Sequence, residues 1–481
     1  MKILINNSFL YLFLLLALSL MYTPSMLLAQ SADDQPKKQV KYKKARALST
    51  KTAKKMAKVY ESLERVDEKG EPDPDMETVV EILTDLRNQK DSLKSYDRSV
   101  MWNAWAYIYS QEEETYPKSI EALNLLLDEP EGTIGLRTAA YLQLGGLYLS
   151  QDNFKKGVEY ILLWMDEVET VTAQAWQLLG RAYYQLGDYK KSISSLENAI
   201  ALAEEEGYKP KESWYVILAA SISELKEEIG EKESYLRQAG IYEILVNLYP
   251  KKQYFLQLGG TYNELGREKD YMITLKAAYQ KDMLNRESEY LALAQLLLIN
   301  QNPYWAANVL VSGQNKIVTY TETTKDKVTG EEIKVEKTGP VIKETEKNLK
   351  LLADSWRMAQ EVDKAIPVLE KAAQMSKDGK SYVLLGNLYL SEDRLELAVE
   401  SIKKGLKKGK IDKISQVHLT LGQAYFELQK FDNAKKEFRI AARDKDKKVK
   451  STANNWIKYT ENEEVRVKNL ALRREYIQSQ S

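Results

Sequence analysis

Apolar residues recur along most of this chain at the spacing of amphipathic helices. Two early segments carry the i, i+3, i+4, i+7 pattern that places apolar side chains on one helix face. These residues are Met56, Val59, Tyr60 and Leu63, and then Val79, Ile82, Leu83 and Leu86. Between them, Asp73 can cap a helix that starts with Pro74, whose missing N–H costs nothing in the first turn. The pattern predicts an N-terminal helical hairpin in residues 49–95.

A longer pattern then recurs at nearly constant spacing. In most units a Gly or Ala follows a leucine directly and precedes an aromatic residue by three places, which lets two helices approach closely. The small residues are Gly145, Gly180, Gly259, Ala294, Ala353, Gly386 and Gly422. Four of the steps between them measure 33 to 36 residues, whereas the step of 79 after Gly180 leaves room for a degenerate unit around Trp214. We expect about eight helix pairs after the leading hairpin.

The best-defined unit resembles a tetratricopeptide repeat. Trp176, Leu179, Gly180 and Tyr183 have the spacing of that repeat's first helix, and the period is near its ~34 residues. The resemblance implies an all-α superhelical solenoid of antiparallel helix pairs. We expect the array in residues 96–315 and 347–442, followed by capping helices in residues 443–481.

One segment departs from the helical pattern. Residues Lys316 to Lys337 are rich in Thr, Val and Ile and alternate around Thr329 and Gly330, which predicts a β-hairpin insertion in residues 316–346. An isolated hairpin is marginally stable in water. It therefore packs on the surface of the solenoid, stays mobile, or adds to a partner's sheet, with a surface insertion as the simplest interpretation.

Composition narrows the chemistry. Lys+Arg and Asp+Glu both total 70, so no global positive charge favours nucleic acid. The chain has no Cys and one His, so the common nucleophilic and metal arrangements are missing. We expect no enzymatic activity, metal, cofactor or small-molecule substrate. The alternative is a carboxylate-dependent enzyme acting on the cell wall, which would need two acidic residues converging in a deep pocket.

The N-terminus has the features of an export signal. Lys2 precedes the uncharged apolar run Phe9 to Met21, and Pro24 and Ala29 follow. We predict a signal peptide in residues 1–29, cleaved after Ala29, and a periplasmic protein; an uncleaved signal would be its sole membrane contact. Residues 30–48 form a predicted flexible basic linker, with contact to anionic lipid or peptidoglycan as the alternative.

In a tetratricopeptide superhelix, places two, five, nine and twelve of each first helix face the concave groove. The resemblance therefore implies polar groove residues that hold an extended peptide, although such residues also serve simply to solvate a groove. The candidate partner-binding residues are Gln174, Gln177, Arg181, Tyr184, Asn263, Gln295, Arg357, Asn387, Gln423 and Phe426.

Three further segments indicate a more specific group of tetratricopeptide proteins. Asp363 to Ala373, Tyr304 to Leu310 and Asn455 to Tyr459 are similar to segments of the tetratricopeptide proteins associated with TonB-ExbB-ExbD energy-transduction systems. That resemblance implies a scaffold or adaptor with a TonB-, ExbB- or ExbD-type partner. The family passes directly from the Ala307 helix to the Leu349 helix, so the hairpin is peculiar to this chain. The alternative is a scaffold for outer-membrane or polysaccharide-export assembly.

Overall fold

A computed structural model describes residues 46–325 and 332–480 of the chain. The predicted signal peptide, most of the predicted linker and the tip of the predicted hairpin lie outside the described residues. The chain divides into two compact units between Ile241 and Tyr242.

Helices make up the first unit. They are α1 (Thr50–Leu63), α2 (Met76–Asn88), α3 (Ser95–Tyr109), α4 (Tyr116–Leu127), α5 (Ile134–Ser150), α6 (Phe154–Glu167), α7 (Ala173–Gln185), α8 (Tyr189–Glu205), α9 (Glu212–Glu224) and the short α10 (Lys226–Ile229). The division between the units falls inside the next helix, α11 (Glu231–Leu248).

The second unit contains the remaining helices and one pair of strands. They are α12 (Lys252–Glu264), α13 (Glu268–Gln280), α14 (Glu287–Ile299), α15 (Pro303–Asn315), β1 (Ile317–Lys325), β2 (Glu332–Pro340), α16 (Glu346–Met358), α17 (Val362–Met375), α18 (Lys380–Ser391), α19 (Leu395–Lys408), α20 (Ile414–Glu427), α21 (Phe431–Ala441) and α22 (Lys447–Gln480).

After the leading hairpin of α1 and α2, the helices form consecutive pairs. Each first helix packs on its second helix and on neighbouring helices, as in α7 with α8 or α18 with α19, and the buried apolar residues lie between them. The described residues contain nine such pairs, one more than the estimate, because the weakly marked α3 and the degenerate segment around α9 and α11 both form complete pairs. The predicted fold class, an all-α repeat solenoid with one β-hairpin, is confirmed.

The small residue of each first helix makes the close approach that the spacing predicts. A Cβ atom added to Gly180 would lie 2.6 Å from Cγ of Leu196 on the paired helix, and one on Gly386 would lie 2.4 Å from Cγ1 of Ile402. These distances are well inside van der Waals contact, so the helices meet where a side chain is missing.

A second periodic feature is the turn inside each pair. In seven of the nine pairs among the described residues, one residue of this turn has the left-handed backbone conformation that ends many helices. It is a glycine in some pairs, such as Gly187 and Gly266, and a polar residue with φ between 55° and 61° in others. The polar residues are Asp152, Gln301, Gln360, Asp393 and Gln429.

The start of α2 differs from the prediction. The N-cap is Asp75, whose Oδ1 accepts a hydrogen bond from the N–H of Thr78 at 3.1 Å, and the helix begins at Met76. Asp73 instead accepts from Nη2 of Arg65 at 2.8 Å, and its backbone N–H donates to the carbonyl of Arg65. These contacts hold residue 73 in the loop before the helix. The N-cap is therefore two residues later than predicted.

The predicted β-hairpin is present between α15 and α16. Its strands are antiparallel, with Ile317 opposite Pro340 and Lys325 opposite Glu332. The hairpin is anchored at its base, where the N–H of Ile342 donates to the carbonyl of Gly313 and the Ile342 side chain is fully buried. The strands themselves make few contacts with helices, so their outer parts project from the second unit.

The C-terminal segment is a single helix of 34 residues, where the sequence predicted more than one. Its first half packs on α21 and α20 and buries Ala453 and Thr460. From Val465 onward nearly every side chain is exposed. The first half therefore closes the end of the apolar core of the second unit.

Candidate partner-binding surfaces

In the second unit the first helices of successive pairs lie side by side. The Nζ atom of Lys252 on α12 lies 2.8 Å from Oε2 of Glu289 on α14. The side-chain amide of Asn348 on α16 donates to Oε1 of Glu287 on α14 at 2.6 Å. Helices α18 and α20 are also in contact. The two hydrogen-bonded contacts join the first helices of neighbouring pairs near their N-terminal ends.

Four predicted partner-binding residues are exposed on these helices. Asn263, Gln295, Arg357 and Asn387 lie on α12, α14, α16 and α18 respectively. Within the described residues, none of the three amides has a side-chain hydrogen bond. Their donors and acceptors are therefore available to another molecule.

The side chains of Arg357 and Gln423 on this side are less free than the three amides. Arg357 lies 3.3 Å from Oδ1 of Asp354, one turn earlier on the same helix, and its side chain stays 46% exposed. Gln423 on α20 is half-buried. An exposed i, i+3 ion pair contributes little stability, so the Arg357 guanidinium can be redirected to a partner's carboxylate at small cost.

Phe426 has a different role from the one that its repeat position suggests. Its ring lies 5.5 Å from that of Trp456 and 5.2 Å from that of Tyr459, both on α22, and 5.9 Å from that of Phe431. Because the array ends at this pair, α22 covers the place that a following first helix would occupy. Phe426 is thus part of the cap contact, and the geometry argues against partner binding there.

In the first unit the four predicted residues lie on α7. Gln177 is buried, with 6% of its surface exposed, so it presents little to a partner. Gln174, Arg181 and Tyr184 are half-buried. The ring of Tyr184 lies 5.7 Å from that of Tyr189, and burial raises the pKa of its hydroxyl, with a further increase from the charge of Glu224 on α9. Tyr184 is therefore a neutral hydrogen-bonding group at neutral pH.

Apolar residues at repeat position five were not among the sequence candidates, although they share the same helix face. Val216 on α9 is 41% exposed. In the second unit, Leu256, Leu291 and Leu419 are half-buried at the corresponding places on α12, α14 and α20. Counting all residue types at position five, and not polar ones alone, would have identified them. They supply apolar contact area beside the amides.

Residues 46–325 and 332–480 contain no group of three His, Asp or Glu side chains placed to hold a metal ion. In the same part of the chain, no helix combines the length and apolar character needed to cross a membrane.

Three segments match the tetratricopeptide repeat family: residues 173–206, 379–407 and 415–442. These segments correspond to α7 with α8, α18 with α19, and α20 with α21. No curated protein sequence matches the chain.

Solved structures with similar helix arrangements share little sequence. The crystal structure of MamA is 18% identical, covers 40% of this chain and 97% of its own, and has a TM-score of 0.31. A tetratricopeptide repeat protein from Parabacteroides merdae is 14% identical, over 60% of this chain and 98% of its own, with a TM-score of 0.24. The TPR2AB domain of yeast Sti1, in a structure titled as a complex with pHSP90, is 10% identical, over 68% of this chain and 99% of its own, with a TM-score of 0.23.

The family match falls on three helix pairs that each have the close glycine approach and the left-handed turn, at Gly180 and Gly187, Gly386 and Asp393, and Gly422 and Gln429. Such arrays typically serve as non-catalytic scaffolds for protein–protein interaction. Three helix pairs of this chain are thus similar to tetratricopeptide repeats.

Proposed function

We propose that this protein is a periplasmic scaffold that binds a component of a TonB-ExbB-ExbD system through the exposed side of its first helices. The observation that carries the binding role is a set of exposed amides without side-chain hydrogen bonds on three first helices of the second unit: Asn263 on α12, Gln295 on α14 and Asn387 on α18. Gln295 and Asn387 occupy repeat position nine of their helices and Asn263 occupies position twelve, so all three belong to places that face the groove in the tetratricopeptide pattern.

This chemistry suits an extended polypeptide segment. Each amide can donate to a backbone carbonyl and accept from a backbone N–H of the same ligand, so recognition does not require one side-chain sequence. The half-buried leucines beside them, such as Leu256 and Leu291, add apolar contact for the ligand's larger side chains. The Arg357 guanidinium adds a preference for a carboxylate on the ligand.

The cellular role rests on the N-terminal sequence and the family resemblance. The apolar run Phe9 to Met21 supports export, and the segments around Asp363, Tyr304 and Asn455 support a place beside TonB-type energy transduction. A scaffold in that system would hold a periplasmic segment of TonB, ExbB or ExbD in the groove.

Affinity purification from cell envelopes tests this proposal. The chain is captured together with its partners, in parallel with the double variant Gln295→Ala, Asn387→Ala. We expect a TonB, ExbB or ExbD homologue to be enriched with the unaltered chain and reduced at least several-fold with the variant, since each lost hydrogen bond weakens binding by about 1 kcal/mol.

A matched variant controls for loss of surface amides in general. Asn433 on α21 and Asn455 on α22 are exposed amides off the first-helix face, and Asn433→Ala, Asn455→Ala should retain the partner. Enrichment of outer-membrane assembly or polysaccharide-export proteins instead would favour that alternative, and an unchanged yield with the first variant would remove the proposed surface.

A further inference from the structure

The net charge of this chain is zero, but one part of the chain has an excess of acidic residues and the other an excess of basic residues. Residues 46–241 contain 35 Asp and Glu against 23 Lys and Arg, whereas residues 242–481 contain 33 against 41. The first unit is therefore strongly acidic and the second strongly basic. Segregation of this kind creates opposite electrostatic potentials on the two surfaces, even though the molecule as a whole is neutral.

In the first unit part of the acidic excess lies in the loops that join one helix pair to the next. Because helices alternate in direction, these loops share one end of the pairs. Exposed carboxylates without an ion pair in the described residues occur after α4, α6 and α8. They are Asp128, Asp166, Glu169, Glu205 and Glu206, and they define the acidic rim.

In the second unit the equivalent loops near the C-terminal end carry the opposite charge. Exposed cations without an ion pair in the described residues occur at the end of α19 and α21 and in the loops that follow. They are Lys407, Lys410, Lys413, Arg443, Lys445 and Lys447, and they define the basic rim.

The loops of the basic rim form a continuous surface. The N–H of Gly379, just before α18, donates to the carbonyl of Gly409 at 2.8 Å. The Nζ atom of Lys408 donates to the carbonyl of Ala373 at 3.0 Å, and the hydroxyl of Ser415 bonds the carboxylate of Asp444. The loops after α17, α19 and α21 are thus tied to one another.

Some cations of the second unit have ion-pair partners, whereas those of the basic rim have none among the described residues. Elsewhere Lys364, Lys371 and Arg394 each have a carboxylate within 3.0 Å. Unpaired charges of one sign on a common surface repel one another most strongly at low salt, because the Debye length is about 10 Å at 0.1 M and longer below that. A surface of opposite charge relieves this repulsion and also steers association.

We infer that the basic rim of one copy of this chain binds the acidic rim of a second copy. Each rim has one charge cluster per helix pair. The clusters of the two rims therefore have the same spacing, and those on one copy can lie opposite those on the other. The whole chain has no net charge, so two copies experience no overall repulsion. A two-fold arrangement makes the same contact twice.

Sedimentation velocity of the exported chain, purified from the cell envelope, tests this inference. We expect a monomer–dimer equilibrium that weakens at least tenfold between about 0.05 M and 0.5 M salt, because screening shortens the reach of the rim charges. The variant Lys407→Glu, Lys413→Glu, Lys447→Glu should remain largely monomeric. Mixing it with Asp166→Lys, Glu169→Lys, Glu205→Lys should restore dimers, now between the two variants.

The control variant reverses three exposed, unpaired lysines away from the rim: Lys269→Glu, Lys347→Glu, Lys458→Glu. It carries the same charge change and should associate as strongly as the unaltered chain. A chain that stays monomeric at low salt overturns the inference, as does a dimer that survives the rim reversal or fails to re-form in the mixture. Binding of the basic rim to anionic lipid vesicles by a monomeric chain would assign the rim to a membrane surface instead.

Discussion

Trp456 lies edge-on to Phe426 and stacked on Phe438, with 5.5 Å between ring centroids in both cases. Phe426 belongs to the last first helix and Phe438 to the last second helix, so one side chain of α22 contacts both members of the final pair. This contact is how the array ends without leaving an apolar face in water.

Replacing this aromatic side chain should weaken the end of the second unit. We expect Trp456→Ala to lower the free energy of unfolding by about 2–4 kcal/mol, through lost contact area and ring interactions. Urea denaturation followed by circular dichroism measures the change. Tyr476→Ala, on the exposed half of the same helix, should change the value by less than about 0.5 kcal/mol. Equal effects from the two substitutions would contradict the cap assignment.

Two adjacent glycines in α5 provide a test of the close helix approach. A Cβ on Gly145 would lie 2.7 Å from Cγ1 of the fully buried Ile161, whereas a Cβ on Gly146 meets nothing within 4 Å. We expect Gly145→Ala to destabilise the protein by about 1–3 kcal/mol and Gly146→Ala to stabilise it by up to about 1 kcal/mol. Thermal unfolding of both variants measures the difference, and the same sign for both would refute the packing argument.

Substitutions in the turns inside the helix pairs should change the free energy of unfolding with opposite signs, depending on whether glycine is introduced or removed. Gln360 has φ +61°, a conformation that costs an L-residue about 1 kcal/mol and glycine very little. We therefore expect Gln360→Gly to stabilise the protein by roughly 0.5–1 kcal/mol, and Gly266→Ala, at φ +67°, to destabilise it by a similar amount. Denaturant midpoints with unchanged slopes are the readout. A destabilised Gln360→Gly variant would show that the Gln360 side chain has a role that its backbone does not explain.

Acid should loosen α22 over a defined pH range. Hydrogen bonds from Lys435 and then Lys468 lower the pKa of Glu464 from 4.5 to about 2. The ionised carboxylate is thus favoured in the folded protein. Its contribution is complete above the ordinary pKa of 4.5 and is lost as pH falls towards 2.

Circular dichroism during acid titration measures this loss as a decrease in helical signal. In the variant Glu464→Gln the part of the transition that lies between pH 4.5 and 2 should disappear. An unchanged titration curve in the variant would mean that other carboxylates control the cap.

The repeated features of the fold could be predicted from the sequence because they depend on local spacing. The small residue three places before an aromatic marked the packed pairs, as in Gly180 with Tyr183, and alternating β-branched residues marked the hairpin. The N-cap at Asp75 could not be separated from Asp73, because both precede a helical pattern and the choice depends on the contact of Asp73 with Arg65.

The sequence predicted which helix face carries the candidate site, but it predicted the individual residues of the site less well. Repeat position alone placed Asn263, Gln295 and Asn387 on an exposed side, because each follows a packed glycine, alanine or tyrosine by a fixed step. It could not foresee that Gln177 is buried or that α22 covers Phe426, since both depend on how closely the following helix packs. The charged rims escaped notice for another reason: equal totals of acid and base concealed their separation along the chain.

The central claim, that the first-helix side binds a protein partner, is tested most directly by site-specific photocrosslinking in intact cells. A photoreactive residue is placed at Asn387 in one strain and at Asn433, an exposed amide on a second helix, in another. The account predicts crosslinks to a discrete partner from position 387, with a TonB, ExbB or ExbD homologue among the products, and none from position 433. Crosslinks to that partner from position 433 alone would place binding on the opposite side of the helix pairs and contradict the account.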